Sequence, residues 1–215
     1  MRPISKERLS TDISRAERKQ RTRRKLLDAA LALVEERGFA SLSLRELTRA
    51  AGITPAAFYR HFANVDALGL VLVEESFGAL GAMLRDARAT RTPPEHLIDA
   101  SLDVLVRHVH DHRAHFRFVA RELAGGHTAV RHAIRKELQL FRSELAVDLA
   151  RLPYVQEWPT DDLYVLADLI VQTVVATVQE LLDAPADDAE ALARVVATAR
   201  KKLRLIVLGV PHWKP

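Results

Sequence analysis

Apolar residues recur at helical spacing along almost the whole chain, and no stretch alternates apolar with polar as a half-buried strand would. Leu26, Leu27, Ala30, Leu33 and Val34 define a first helix that starts in a basic run, residues 15–25, and stops at Gly38. Residues 1–14 lack the period and predict a mobile arm, the start of a basic N-terminal segment. Leu44, Leu47 and Ala51 mark a short second helix, and residues 55–61 a third. Leu70, Val73, Phe77, Leu80 and Leu84 predict a long helix from Asn64 or Asp66 to about residue 89, with almost no linker before it. After a break at 90–94 (TRTPP), further helices are predicted over 95–110, 113–123, 128–152, 161–183 and 188–208. The breaks between them are Gly125-Gly126, the loop 153–159 and the turn 184–187. The pattern therefore predicts an all-α chain of about nine helices. A three-helix N-terminal domain spans 1–64 and a helical C-terminal domain spans 65–215.

Residues 41–62, SLSLRELTRAAGITPAAFYRHF, carry the clearest local chemistry. Ser43 with Glu46 three residues on makes a capping box. Gly52 can take the left-handed conformation that ends a helix. Thr54 can cap the next helix, with Pro55 at its first position, where a missing N–H costs nothing. Small side chains at Pro55, Ala56 and Ala57 suit entry into a major groove, and Tyr59, Arg60 and His61 can hold phosphates. A helix-turn-helix that binds DNA is one reading. An ordinary helical hairpin within a bundle is the other.

Charge bears on that choice. The net charge of +4 is unevenly spread. Residues 1–62 hold fourteen Lys and Arg against seven Asp and Glu, whereas the rest holds eighteen against twenty-one. A cationic surplus around the candidate reading helix is the electrostatic footprint of nucleic-acid binding. The basic run itself reads as a solvated helix start, or as an arm and first turn, Arg23 included, lying along DNA backbone.

Hydrophobic residues make up 48% of the chain, enough for a sizeable core, and there is no cysteine. Disulfide and thiolate chemistry are excluded, and a cytoplasmic location is the expectation. The start of the chain shows no apolar core of a signal peptide. The apolar region 163–182 is interrupted by Asp168, Gln172, Gln179 and Glu180 and makes a poor membrane span, so no membrane partner is expected. No Gly-rich phosphate loop, G-x-S-x-G or paired metal motif occurs, so neither an enzyme nor a cofactor is expected. His108, His112 and His115 share a helical face and read either as zinc ligands or as a solvated helix end.

The helix over 161–183 is apolar almost all round, so it is buried on more than one side. Leu163, Leu166, Ala167, Ile170, Val174, Val178 and Leu181 can face the chain's own core, leaving Val165, Leu169, Thr173, Ala176 and Glu180 for another surface. With Val196 and Leu203 of the last helix they predict a four-helix homodimer interface. A single large interior helix is the competing reading.

The ordered run RKLLDAALALVEERGFASLSLRELTRAAGITPAAFYRHFANVDAL resembles the DNA-binding domain of the TetR family of bacterial transcriptional regulators. Gly38-Phe39, Ser43, Leu44, Leu47, Ala50-Ala51-Gly52-Ile53, Phe58-Tyr59-Arg60-His61-Phe62 and Leu68 carry the likeness over about fifty residues. It implies a dimeric repressor on palindromic double-stranded operator DNA. Thr54, Tyr59 and His61 would meet phosphate, with Ser43 and Arg45 at the entry of the preceding helix. Arg60, Pro55 and Ala56 would lie near base edges, and Phe58 and Phe62 in the core. Most members carry a lysine where this chain has Val65, so that phosphate contact is in doubt. YRHF followed by VD and LGL resembles a narrower branch, the FabR-like and DesT-like regulators of unsaturated fatty acid synthesis. Phe116-Arg117, Arg121-Glu122, Arg135-x-Glu137, Phe141 and Glu144-Leu145 agree with it. That branch implies a long-chain acyl-CoA effector in the C-terminal body. Phe77 and Phe116 would serve the acyl chain. Arg113, Arg117 and Arg121, at four-residue spacing, would hold the phosphates, or else form surface ion pairs.

Overall fold

The computed structural model describes residues 6–89, 94–152, 154–185 and 187–214, and every regular element among them is helical. The helices are α1 (Lys6–Arg37), α2 (Leu44–Ala50), α3 (Pro55–Phe58), α4 (Val65–Ala89), α5 (Pro94–Asp111), α6 (Arg113–Gly125), α7 (Thr128–Leu149), α8 (Thr160–Asp183) and α9 (Ala189–Gly209). Short 3-10 turns follow α1 and α9, at Phe39–Ser41 and Val210–His212.

Two boundaries differ from the sequence pattern. The chain is already helical at Lys6, whereas the pattern predicts no helix over 6–14; residues 1–5 lie outside the described residues. Lys6, Glu7, Arg8 and Leu9 at its start are good helix formers, whereas Ser10 to Ser14 are not, so the helix there is not legible from propensity or period. At the other difference, α3 has only four regular residues. Beyond Phe58 the bonds tighten to three-residue steps, with Arg60 N–H on the Ala57 carbonyl and His61 N–H on the Phe58 carbonyl. The break at 90–93 lies outside the described residues.

Three apolar clusters hold the helices. The first joins α1, α2, α3 and α4 through Leu26, Val34, Leu47, Phe58, Leu68 and Leu72, and continues into α6 and α7 through Phe118, Val130 and Ile134. The second joins α5, α6, α8 and α9 through Leu102, Leu105, Phe116, Leu181 and Leu203. The third closes the end of α7 on the start of α8 through Ala146, Val155, Leu163 and Ala167. α8 is long and apolar enough to cross a membrane by length and composition, yet α5, α6, α7 and α9 all pack against it.

Phe39 sits where the reading end meets the body. It is buried, its ring 6.2 Å from Phe118 and 5.8 Å from the His127 ring. Gly69 of α4 makes room for it, because a Cβ there would come within 2.4 Å of the ring. Gly69→Ala is therefore expected to destabilise the fold by about 1–3 kcal/mol, seen as a lower urea midpoint. Gly78, in the same helix with open space around it, should gain about 0.5–1 kcal/mol as Ala.

Candidate nucleic-acid interface

α2 and α3 are built by the caps the sequence predicts. Ser43 Oγ accepts the Glu46 N–H at 3.2 Å and donates to Glu46 Oε2 at 2.8 Å. That hydroxyl, with Arg37 beyond it, holds the Glu46 carboxyl below the usual carboxylate range. Thr48 is buried and its hydroxyl donates to the Leu44 carbonyl at 2.9 Å. Gly52, at φ +66, turns the chain so that the Ile53 N–H reaches the Thr48 carbonyl at 3.0 Å. Thr54 Oγ1 accepts the Ala57 N–H at 3.2 Å, and Pro55 opens α3.

The two caps and the turn set one side of α3 against the core and the other toward solvent. Phe58 is wholly buried and Phe62 nearly so. Thr54, Pro55, Ala56, Tyr59 and Arg60 are exposed, as are Ser43 and Arg45 at the start of α2. Tyr59 stands 59% exposed with its ring edge-on to Phe58. His61 is half-buried, and burial, then Lys19, Arg23 and Arg60, hold its imidazole below the ordinary value. The Arg23 guanidinium lies over the Phe62 ring, 5.1 Å from its centre. Of the nine residues proposed for DNA contact, seven are exposed and Arg23 and His61 are half-buried, and Val65 is the first residue of α4.

The body residues proposed for a ligand are not brought together. Phe77 packs on Phe141 in the first cluster, and Phe116 lies in the second. Each α6 arginine is engaged within the chain. Arg113 donates to the Leu182 and Ala184 carbonyls at 2.7 and 3.0 Å, capping the end of α8. Arg117 pairs with Glu35, and Arg121 donates to the Glu35 carbonyl at 3.3 Å. Of the two readings of the α6 arginines, these contacts favour the one without a phosphate: the cations tie α6 to α1 and α8. A cleft of about 570 Å³ opens instead between α7 and α8, lined by Leu123, Arg135, Leu138, Gln139, Arg142, Gln172, Val175, Ala176 and Gln179. Arg142 there is paired with Asp168 at 2.5 Å. A smaller one of about 170 Å³ is lined by Glu74, Phe77, Gly78, Gly81, Glu137, Leu140, Phe141 and Glu144.

Of the proposed dimer residues, Val165 and Leu169 are exposed, at 59% and 48%. Thr173, Ala176 and Val196 are half-buried, and Glu180 accepts from Lys202 Nζ at 2.9 Å. Leu203 is corrected: at 8% exposure it belongs to the chain's own core, sharing a stripe with Ala199 and Ile206. Leu205 and Leu208 stand outward instead, at 69% and 67%. The histidines meet in part, His108 and His112 with ring centres 4.4 Å apart and His112 and His115 6.0 Å apart. Among the described residues no three His, Cys, Asp or Glu side chains are grouped to hold a metal ion.

Sequence reasoning missed the joint. Glu122, 1% exposed, accepts the Phe39 N–H at Oε1 and the His127 N–H at Oε2, both at 2.9 Å. It links the turn after α1 to the start of α7. The signal was the Gly125-Gly126 break: a Cβ on Gly126 would fall 1.8 Å from Glu122 Oε2. Glu122→Gln keeps the shape but turns one acceptor into a donor facing an N–H. It should cost about 1–3 kcal/mol and speed hydrogen exchange of the Phe39 amide.

Two family models match the chain. The one described as "Bacterial regulatory proteins, tetR family" covers residues 26–70, and the one described as "Tetracyclin repressor-like, C-terminal domain" covers 94–202. Among similar solved structures is the fatty acid degradation regulator FadR from Bacillus halodurans, with 17% identity, TM-score 0.68, and 85% of this chain and 94% of that one covered. Another is a putative transcriptional regulator from Pseudomonas aeruginosa PAO1, with 17% identity, TM-score 0.71 and coverage of 89% and 93%. A third is a TetR-family regulator from Streptomyces coelicolor, with 19% identity, TM-score 0.67 and coverage of 88% and 96%.

Proposed function

The chain belongs to the tetR family of bacterial regulatory proteins, and from that premise we propose a homodimeric repressor of palindromic operators, reset by long-chain acyl-CoA and controlling genes of fatty acid desaturation. As a TetR-type transcriptional regulator it is a DNA-binding protein and not an enzyme. It works in the cytoplasm, where its operator is. The exposed small-residue face of α3, flanked by Tyr59 and Arg60, carries the DNA reading. Pro55 and Ala56 approach base edges with Arg60, while Ser43, Arg45, Thr54, Tyr59, His61 and Arg23 meet backbone phosphate. The outward faces of α8 and α9, with Val165, Leu169, Leu205 and Leu208, pair two copies. Two reading helices about 34 Å apart then match successive major grooves.

The α7–α8 cleft supports the effector reading. Its volume of about 570 Å³ lies in the range of ligand pockets. Leu123, Leu138, Val175 and Ala176 offer an apolar wall and Arg135 a cation for an anionic head. Leu123 is the neighbour of Glu122, so an occupant that moves it acts on the joint with α1. The likeness to a fatty acid degradation regulator agrees with this choice of ligand but shows the fold alone. One observation favours a second reading, a different small apolar ligand or drug. Glu74, Glu137 and Glu144 surround the smaller cavity over Phe77 and Phe141, which suits a lipophilic cation and repels a CoA phosphate.

Tyr59→Ala and Arg60→Ala are each expected to cost about 1–3 kcal/mol of affinity for a duplex selected by the wild-type chain from a random pool. Anisotropy titration reads this, and unchanged affinity in an intact fold sinks the DNA assignment. Titrating the protein–DNA complex with saturated and unsaturated acyl-CoA tests the effector. Arg135→Gln should weaken the response about tenfold or more, since a charge-assisted bond is lost, and leave ligand-free DNA affinity alone. No response to either chain removes acyl-CoA. A response to lipophilic cations that Glu137→Gln abolishes favours the second reading.

A further inference from the structure

From residue 14 onward the first buried side chain of α1 is Leu26, so about 18 Å of helix, residues 14–25, lies ahead of the buried core residues. Residues 15–21 are all exposed. Over residues 14–25 there are seven Lys and Arg and one acid, Glu17. Arg24 is engaged by Asp28 and Glu75, and Arg18 by Ser14. Arg15, Lys19, Arg21 and Lys25 have no carboxylate within ion-pair reach among the described residues. An unpacked helix is marginal in water, and like charges four apart weaken it further. A row of external anions would relieve both costs.

The cations are not equivalent. Arg15, Lys19 and Arg23, at four-residue spacing, fall within about 80° of arc. Arg23 stacks on Phe62, so this stripe runs out from the far end of the reading helix. Lys19 and Arg23 join Arg60 in the positive field around His61. Arg21 and Lys25 point away from the stripe by about 120–160°.

We infer that the α1 extension is a second DNA-contact surface, whose Arg15–Lys19–Arg23 stripe seats on phosphates beyond those met by α2 and α3 and reads no sequence. This rests on the DNA reading above and adds to it a rigid, sequence-blind foot beside the reading helix. For the stretch 14–25 the partner is a duplex and not a bilayer, because Ala16 is its one apolar residue and a lipid surface needs an apolar face to receive.

The test compares two double variants of the full chain, Arg15→Gln/Lys19→Gln and Arg21→Gln/Lys25→Gln. Both remove two positive charges from exposed positions, and glutamine keeps the helix. Binding to the selected duplex is measured across a salt series. The stripe variant should flatten the slope of log K against log salt by about 1.8, and the opposite pair should leave it near the wild-type value. Equal slopes for both variants, whether changed or unchanged, overturn the inference, the former reducing it to net charge. Wild-type chain that binds no duplex overturns the DNA reading itself, a separate outcome. Sedimentation with phosphatidylserine vesicles is run alongside, and stripe-dependent vesicle binding with an unchanged DNA slope also overturns it.

Discussion

A single buried carboxylate holds the reading end of this chain to its body. Glu122 is almost wholly enclosed, and an enclosed charge is expensive unless its oxygens are bonded. Here each oxygen takes one backbone N–H, from Phe39 after α1 and from His127 before α7. Neither amide has a helical partner of its own, so the carboxylate satisfies two otherwise orphaned donors at once. Both donors belong to main chain, which cannot rotate away as a side chain can. One geometry of α1, α6 and α7 satisfies all three groups, and a shift of any element costs a charged hydrogen bond.

The packing around that joint explains how the body can act on the DNA end. Phe39 presses on Gly69 of α4, and His127 Nε2 stands 3.7 Å from Asp66 Oδ1 in the first turn of the same helix. α4 begins at Val65, three residues after Phe62 of the reading segment. The first apolar cluster is continuous from α1 through α4 into α6 and α7. A displacement at the end of α6 therefore reaches the reading helix by two rigid routes, the Glu122 bridge and the root of α4. This is a two-element coupling of the kind that moves interfaces in steps, because packed cores do not deform continuously.

Local rules were legible in the sequence where one residue decides the outcome. Ser43, Gly52, Thr54 and Pro55 each act through their own backbone neighbours, and each does what its position predicts. Apolar period found the cores of α4 to α9 because it reports which face meets a neighbour. It gave no helix at residues 6–14, where Leu9 and Ile13 are the only large apolar residues, though the helix is there. The α6 arginines are a different case. Spacing placed Arg113, Arg117 and Arg121 on one face, but what a cation bonds depends on which carbonyl or carboxylate arrives from elsewhere. The end of α8 and Glu35 arrive, across 68 and 82 positions of sequence. Leu203 is the same lesson in apolar form, since a stripe shows amphipathy and not which partner covers it.

The resulting distribution of cations separates two kinds of work. Arginines on α6 hold helices together, Arg117 through the Glu35 carboxylate of α1, Arg121 through the Glu35 carbonyl and Arg113 through carbonyls at the end of α8. Those on the α1 stripe are solvated and lie beside the reading helix. On the proposed reading, an anionic occupant of the α7–α8 cleft would meet Arg135 and not the α1 cations, and would act through packing at Leu123, next to Glu122. Electrostatics then sets how strongly the chain meets DNA and how that depends on salt. In the proposed dimer, the buried joint would set how far apart two reading heads are held, and so which spacing of half-sites they fit.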